Sequence, residues 1–275
     1  MNIITQSFIQ KQLISIGFRQ IKFLISRQRI KFSIPQISIY LHAVFVHQKQ
    51  HESFKSIYKN SNLKISYQAF MKNISTLCPL IKFLFYRLNK QHKIKPSSLY
   101  NIVDTSLIST KFPESIKQRD FDNHNVTARV KLGRKIYICG VKLLVFINRF
   151  RQIYYAEILN INYSDQNILK SSALYRNQLQ GFLLADKGFN GKEAEKRVNF
   201  SGKCKIISPK NRNCKIQLND KERKFYKRRW SIETVFQQLK NNYGKFKLDL
   251  KGAKNKKLLE GKLFSALTEF NLVTI

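Results

Sequence analysis

The spacing of apolar residues changes once along this chain, and that change decides what it can fold into. Between Ser66 and Leu88 they fall at Tyr67, Phe70, Met71, Ile74, Leu77, Ile81, Leu84, Phe85 and Leu88, the three- and four-residue steps of an amphipathic helix. Ser66 stands at its N-cap, where a hydroxyl can accept from an amide of the first turn. Ile37 to Lys59 shows the same spacing with a break near His51. Residues 1–95 are therefore predicted to be all-helical, either as a plain bundle or as a helix-turn-helix that reads DNA. Lys93 to Ser98, with Pro96 and two serines, reads as a linker.

After the linker the pattern shortens. Tyr100 to Ile108, Ile136 to Ile147 and Ile153 to Ile161 are runs rich in Ile, Val and Tyr that predict three strands. A short helix over Asp165 to Tyr175, a strand over Gly181 to Ala185, a helix over Lys192 to Val198 and a strand over Lys205 to Ser208 follow. One long helix from Asn219 to Tyr243 closes the series. Residues 96–275 are thus expected to form an α/β domain, a mixed sheet with helices on its faces.

The chain carries 51 Lys or Arg against 16 Asp or Glu, a net charge of +35. A bias toward Ile, Lys, Asn and Phe explains part of the lysine but not the scarcity of acids. Such an excess calls for a polyanionic partner, because each cation placed on a phosphate releases counterions. Nucleic acid fits better than an anionic membrane surface, since the charge is spread through folded sequence rather than clustered. Cys78, Cys139, Cys204 and Cys214 form no C-x-x-C pair, which argues against a disulfide framework or zinc ribbon and for a reducing compartment. Neither a signal peptide nor an apolar run long enough to span a bilayer is expected.

In so basic a chain, acids at strand ends stand out. Asp104 ends the run from Tyr100, and Asp186 follows Gly181-Phe-Leu-Leu-Ala. Catalytic groups of open α/β sheets gather at carboxyl ends of strands, although an Asp there often does no more than cap a turn. The third acid lies in the closing helix. At about 100° per residue, Tyr226, Arg229, Glu233 and Lys240 fall within roughly 60° of one another. Either Arg229 and Glu233 form a surface ion pair of little consequence, or Glu233 belongs to a phosphate-binding active site. Three carboxylates can hold two Mg²⁺ ions, hard cations that prefer oxygen ligands. The pair His47 and His51 lacks a third ligand and reads as helix packing.

These blocks resemble the three acidic motifs of bacterial insertion-sequence DDE transposases. Val103-Asp104-Thr105-Ser106 is similar to the first, Leu184-Ala-Asp186-Lys-Gly188-Phe to the second, and Tyr226-x2-Arg229-x3-Glu233-x6-Lys240 to the third. The likeness extends to Gly140-Val-Lys142-Leu, Tyr163-Ser-Asp165 and, more loosely, His47-Gln-x4-Ser53-Phe-Lys. It implies a ribonuclease H-like catalytic domain behind a helical DNA-binding region. It also implies that Asp104, Asp186 and Glu233 bind two Mg²⁺, with Mn²⁺ a workable substitute. Tyr226, Arg228, Arg229 and Lys240 would hold DNA phosphates. The implied partners are transposon ends and target DNA, the implied assembly a homodimer or larger synaptic complex, and the implied location the bacterial cytoplasm at the nucleoid, away from membranes. Trp230, beside the motif, reads more readily as core packing than as a base-stacking residue. Two alternatives stay open: a nuclease of the same fold without strand transfer, and a decayed copy that binds DNA without catalysis.

Overall fold

Ser66 caps a helix, its hydroxyl accepting from the Ala69 amide at 3.2 Å. In this computed structural model the described residues are 4–16, 21, 32–50, 52–110, 115–123, 125–165, 167–168, 179–189, 191, 195–196, 198–199, 203–209, 218–242 and 256–274. They fall into two units, Met1–His92 with Leu239–Ile275, and Lys93–Gln238.

The first unit is helical: α1 (Gln6–Ile16), α2 (Ile34–Gln50), α3 (Phe54–Asn60), α4 (Tyr67–Leu77), α5 (Pro79–Gln91) and α9 (Lys256–Thr274). Two departures from the sequence reading are informative. The helix predicted through Ser66–Leu88 is divided between α4 and α5 at Pro79, whose missing amide hydrogen ends one ladder while suiting the first turn of the next. The C-terminal segment, assigned by sequence to the α/β half, instead packs its helix α9 against α5, α2 and α4. α9 is buried along almost its whole length, and even Lys262, Ser265, Thr268, Glu269 and Asn271 lie inside. Polar groups at such depth need partners. Asn271 donates to Asn89 Oδ1 at 2.8 Å, and the Ser265 and Thr268 hydroxyls donate to backbone carbonyls within the helix. His47 stacks on Phe54 with ring centroids 4.0 Å apart and places Nδ1 2.6 Å from the Glu52 carbonyl oxygen, so it serves packing; His51 lies outside the described residues.

The second unit is α/β. Its strands are β1 (Tyr100–Ser109), β2 (Val126–Lys131), β3 (Arg134–Asn148), β4 (Ile153–Asn160), β5 (Gly181–Ala185) and β6 (Cys204–Ile207). Short helix α6 (Gln118–Asp122) precedes β2, while α7 (Asp220–Tyr226) and α8 (Trp230–Asn242) follow the sheet. Among the described residues β4, β3 and β1 pair antiparallel, and β1, β5 and β6 pair parallel. That is a ribonuclease H-like mixed sheet, as the sequence predicted. Its core gathers Val103, Leu144, Phe146, Leu183, Ala185 and Phe189 between strands and flanking segments.

Strand β2 was not foreseen. It pairs with the first residues of β3 through the two-residue turn Leu132-Gly133, both with positive φ (52° and 76°). A two-residue turn with φ positive at both positions matches the twist of a hairpin, and glycine supplies the second position without strain. The predicted helices over Asp165–Tyr175 and Lys192–Val198 are described only in part.

Candidate active site

Parallel pairing of β1 with β5 sets the site. The last register pair is Val103 with Ala185, so Asp104 and Asp186 follow at the same level; Asp186 lies just past β5, but Asp104 sits midway along β1, which continues to Ser109, and not at a strand end as its place after the apolar run suggests. The backbone beyond Asp186 turns into a short 3-10 segment, Lys187–Phe189, in which the Phe189 amide donates to the Asp186 carbonyl and the Lys187 amide to Asp186 Oδ1 at 2.8 Å. Asp186 itself is exposed, whereas Asp104 is mostly covered.

The third acid arrives from the closing helix, which is not continuous. Asn219 caps α7 in a reciprocal capping box with Glu222, and a 3-10 turn at Lys227–Arg229 then separates α7 from α8. The ideal helical wheel of the sequence reading therefore does not run unbroken from Tyr226 to Lys240. Arg229 and Glu233 nevertheless meet. α8 buries Ile232, Val235, Phe236 and Leu239 and leaves Glu233 exposed on its first turn.

Arg229 joins the pieces. Its Nη1 donates to Asp104 Oδ2 at 2.9 Å and its Nη2 to Glu233 Oε1 at 2.7 Å. The guanidinium also lies 6.0 Å from the Tyr226 ring centroid. Burial pushes the Asp104 carboxyl up to about 6; the Thr105 amide, which donates to Oδ1 at 2.7 Å, and Arg229 pull it back, while Asp186 and Asp165 push it further up. Burial likewise raises the Tyr226 phenol. For Arg229 burial works against the charge, and the fields of Asp104, Tyr226, Asp186 and Glu233 outweigh it, holding the group above its usual value.

A fourth acid stands beside these. Lys142 Nζ donates to Asp165 Oδ1 at 3.0 Å and to the Tyr163 carbonyl at 2.6 Å, and the Thr105 hydroxyl donates to the same carboxyl oxygen at 3.3 Å. Gly188 closes over it: a Cβ there would lie 2.8 Å from Asp165 Oδ2, so a side chain at 188 would push the carboxylate aside. The sequence singled out Lys142 and Asp165 through resemblance but gave them no role. An acid shortly after β4, with a lysine on the neighbouring β3, is the available signal.

Arg228 is exposed, its guanidinium 5.7 Å from the Tyr100 ring centroid. Lys240 lies in the last turns of α8 and groups with the helical unit. Trp230 is 71% exposed, which overturns the core-packing reading: as the first residue of α8 it lies outside the helix's buried face.

The expected cluster of three carboxylates is not assembled. Among the described residues no three Asp, Glu, His or Cys side chains are close enough to share one ion. Arg229 instead supplies the positive charge between Asp104 and Glu233. By donor type, carboxylate oxygen, the acids around Arg229 suit a hard divalent cation. Asp104 and Asp186 are level with each other, and Glu233 is exposed and held by Arg229.

Asp104 in β1 and Asp186 just past β5 are thus level on a ribonuclease H-like sheet, with Arg229 and Glu233 brought beside them by the following helix. Comparison with protein families supplies the rest: the transposase DDE domain matches residues 101–245, just over half of the chain. The chain belongs to that transposase family, whose members generally use divalent metal ions and act on DNA. No curated protein and no solved structure matches it. Among the described residues no helix is long and apolar enough to cross a membrane.

Proposed function

We propose that the protein is the transposase of an insertion sequence, which binds the element's terminal inverted repeats, cuts their 3′ ends and joins them to target DNA. The observation that carries this reading is the arginine bridge from Asp104 to Glu233 beside Asp186, inside the segment matched by the family. Asp104, Asp186 and Glu233 would hold two Mg²⁺, or Mn²⁺ in their place. When bound, the metal pair supplies a lowered water pKa and charge neutralisation at the attacking and leaving oxygens of an in-line displacement.

This chain's own residues do the rest. Arg229 holds two carboxylates in place, and its planar fork can turn to a phosphate bidentately. Tyr226 and Arg228 flank the same approach, and Lys240 adds a point charge to the phosphate path. Lys142 and Asp165, braced by Thr105, keep the level below the reacting carboxylates from shifting. The helical unit holds the ends of the element, and a dimer or larger assembly brings two ends together on DNA at the bacterial nucleoid.

The reaction class is tested with purified protein, Mg²⁺ and duplexes carrying the inverted repeats that flank the gene. Nicked ends followed by joined products support the reading. Cleavage without joined products would make the protein a nuclease, and metal-independent binding with no product would leave only a DNA-binding role.

A further inference from the structure

The two-stranded ribbon of β2 and the start of β3 has no part in the site above. From Ala128 to Tyr137 each residue whose side chain is described is exposed; apart from Tyr137, whose ring meets that of Phe121 edge-on at 5.5 Å, neither face of the ribbon rests on a core. An isolated hairpin is marginal in water, and apolar side chains on it have nothing to gain from folding alone. Yet Val130 is 74% exposed and Leu132, at the tip, 94%. Around them stand Arg129, Arg134 and Lys135, with no acid between Val126 and Gly140. Among the described residues none of these three cations pairs with a carboxylate. The register places Arg129 opposite Ile136 and Val130 opposite Lys135, so cations and apolar residues share both faces.

We propose that this ribbon enters the major groove of duplex DNA, with Arg129, Arg134 and Lys135 on phosphates and Leu132 and Val130 against base edges. This rests on the reading of the protein as a DNA transposase. Three arguments favour DNA over a second copy of the chain. The ribbon is purely cationic, and the chain as a whole is at +35, so two copies repel where a polyanion attracts. A two-stranded ribbon fits a groove about 12 Å wide. The reach is also right: Asp104 pairs with Val145, and from there β3 runs back to Arg134, about 35 Å at roughly 3.3 Å per residue. That is about one helical turn of duplex, so a ribbon on the sheet that carries the acids would grip DNA a turn away from the bond being cut.

The test uses the full chain, without metal, and a linear duplex about four helical turns long. Replacing Arg129, Arg134 and Lys135 together by Ala should reduce the slope of log affinity against log salt by about 2 to 3. The fold should be unaffected, as near-ultraviolet circular dichroism would verify, because these side chains touch no core. Neutralising Arg149 and Arg151, at the other end of β3, serves as the control. A slope change no larger than the control's would overturn the proposal. A photo-crosslinking residue in place of Leu132 should attach to the duplex; attachment only to a second copy of the chain would also overturn it. Because these measurements read binding alone, a ribbon effect in a protein that never joins DNA ends would refute strand transfer and leave the ribbon's role standing.

Discussion

Arg229 reaches across 125 positions of sequence to donate to Asp104 at 2.9 Å, both side chains mostly shielded from water. The same guanidinium holds Glu233 one turn along its own helix. Replacing Arg229 by Lys leaves a single point charge that cannot span both carboxylates. End cutting should fall by about a hundredfold or more, in the range seen when one transition-state donor is lost, while far-ultraviolet circular dichroism stays unchanged. Cutting at wild-type rates by Arg229→Lys would show that the bridge is only structural.

Asp104 sets a pH dependence of stability. Its carboxyl titrates near 6 when folded, against about 3.9 in an unfolded chain. The folded protein therefore binds the extra proton between those values. Its stabilising contribution is complete below about pH 4 and is lost as pH rises through 6. In metal-free buffer, Asp104→Asn should raise stability at pH 7.5 by up to about 3 kcal/mol and change little near pH 3.5. Denaturant melts at the two pH values check this, and a variant less stable at both would contradict it.

Asp165 should behave as a positioning residue. It anchors Lys142 and Thr105, and Thr105 is the neighbour whose amide donates to Asp104. Asp165→Asn should lower cutting by about 10- to 100-fold, as for partners that orient metal ligands, and should shift half-maximal activity to higher metal concentration. The isosteric amide keeps the packing, so a change confined to thermal stability would mean that Asp165 is structural only.

Trp230 offers a large flat face to solvent at the head of α8. Trp230→Ala should leave stability within about 0.5 kcal/mol, as for an exposed site. If the indole stacks on a base near the cut, binding of a pre-nicked end should weaken by the equivalent of about 1 to 3 kcal/mol. Fluorescence of 2-aminopurine placed at that base would report the stack, and no change in it on removing Trp230 would rule the contact out.

Most of the α/β fold was legible in the sequence because its strands bury continuous apolar runs. Tyr100–Ser109, Ile153–Asn160 and Gly181–Ala185 match the predicted strands to within a residue. What was not legible has physical causes. β2 carries Thr127, Arg129 and Lys131 among its few apolar residues and is exposed on both faces, so it has no inward alternation to read; the turn at Leu132-Gly133 was its one signal. Pro79 leaves no mark on the apolar spacing, which continues across it even though the hydrogen-bond ladder does not. The wheel that grouped Tyr226 with Glu233 assumed an unbroken helix, and contact survives the 3-10 turn because Arg229 is long enough to reach both ways. No pattern in the sequence foretold that Arg229 would stand between Asp104 and Glu233.

The central claim is that Asp104, Asp186 and Glu233 act together in metal-dependent cutting. It is tested most directly by assaying Asp104→Asn, Asp186→Asn and Glu233→Gln separately, on duplexes bearing the flanking inverted repeats, in Mg²⁺ and again in Mn²⁺. The expected result is that each variant binds the duplex as wild type does and yields no cut or joined product with either metal. Wild-type levels of product from any one of the three would contradict the claim.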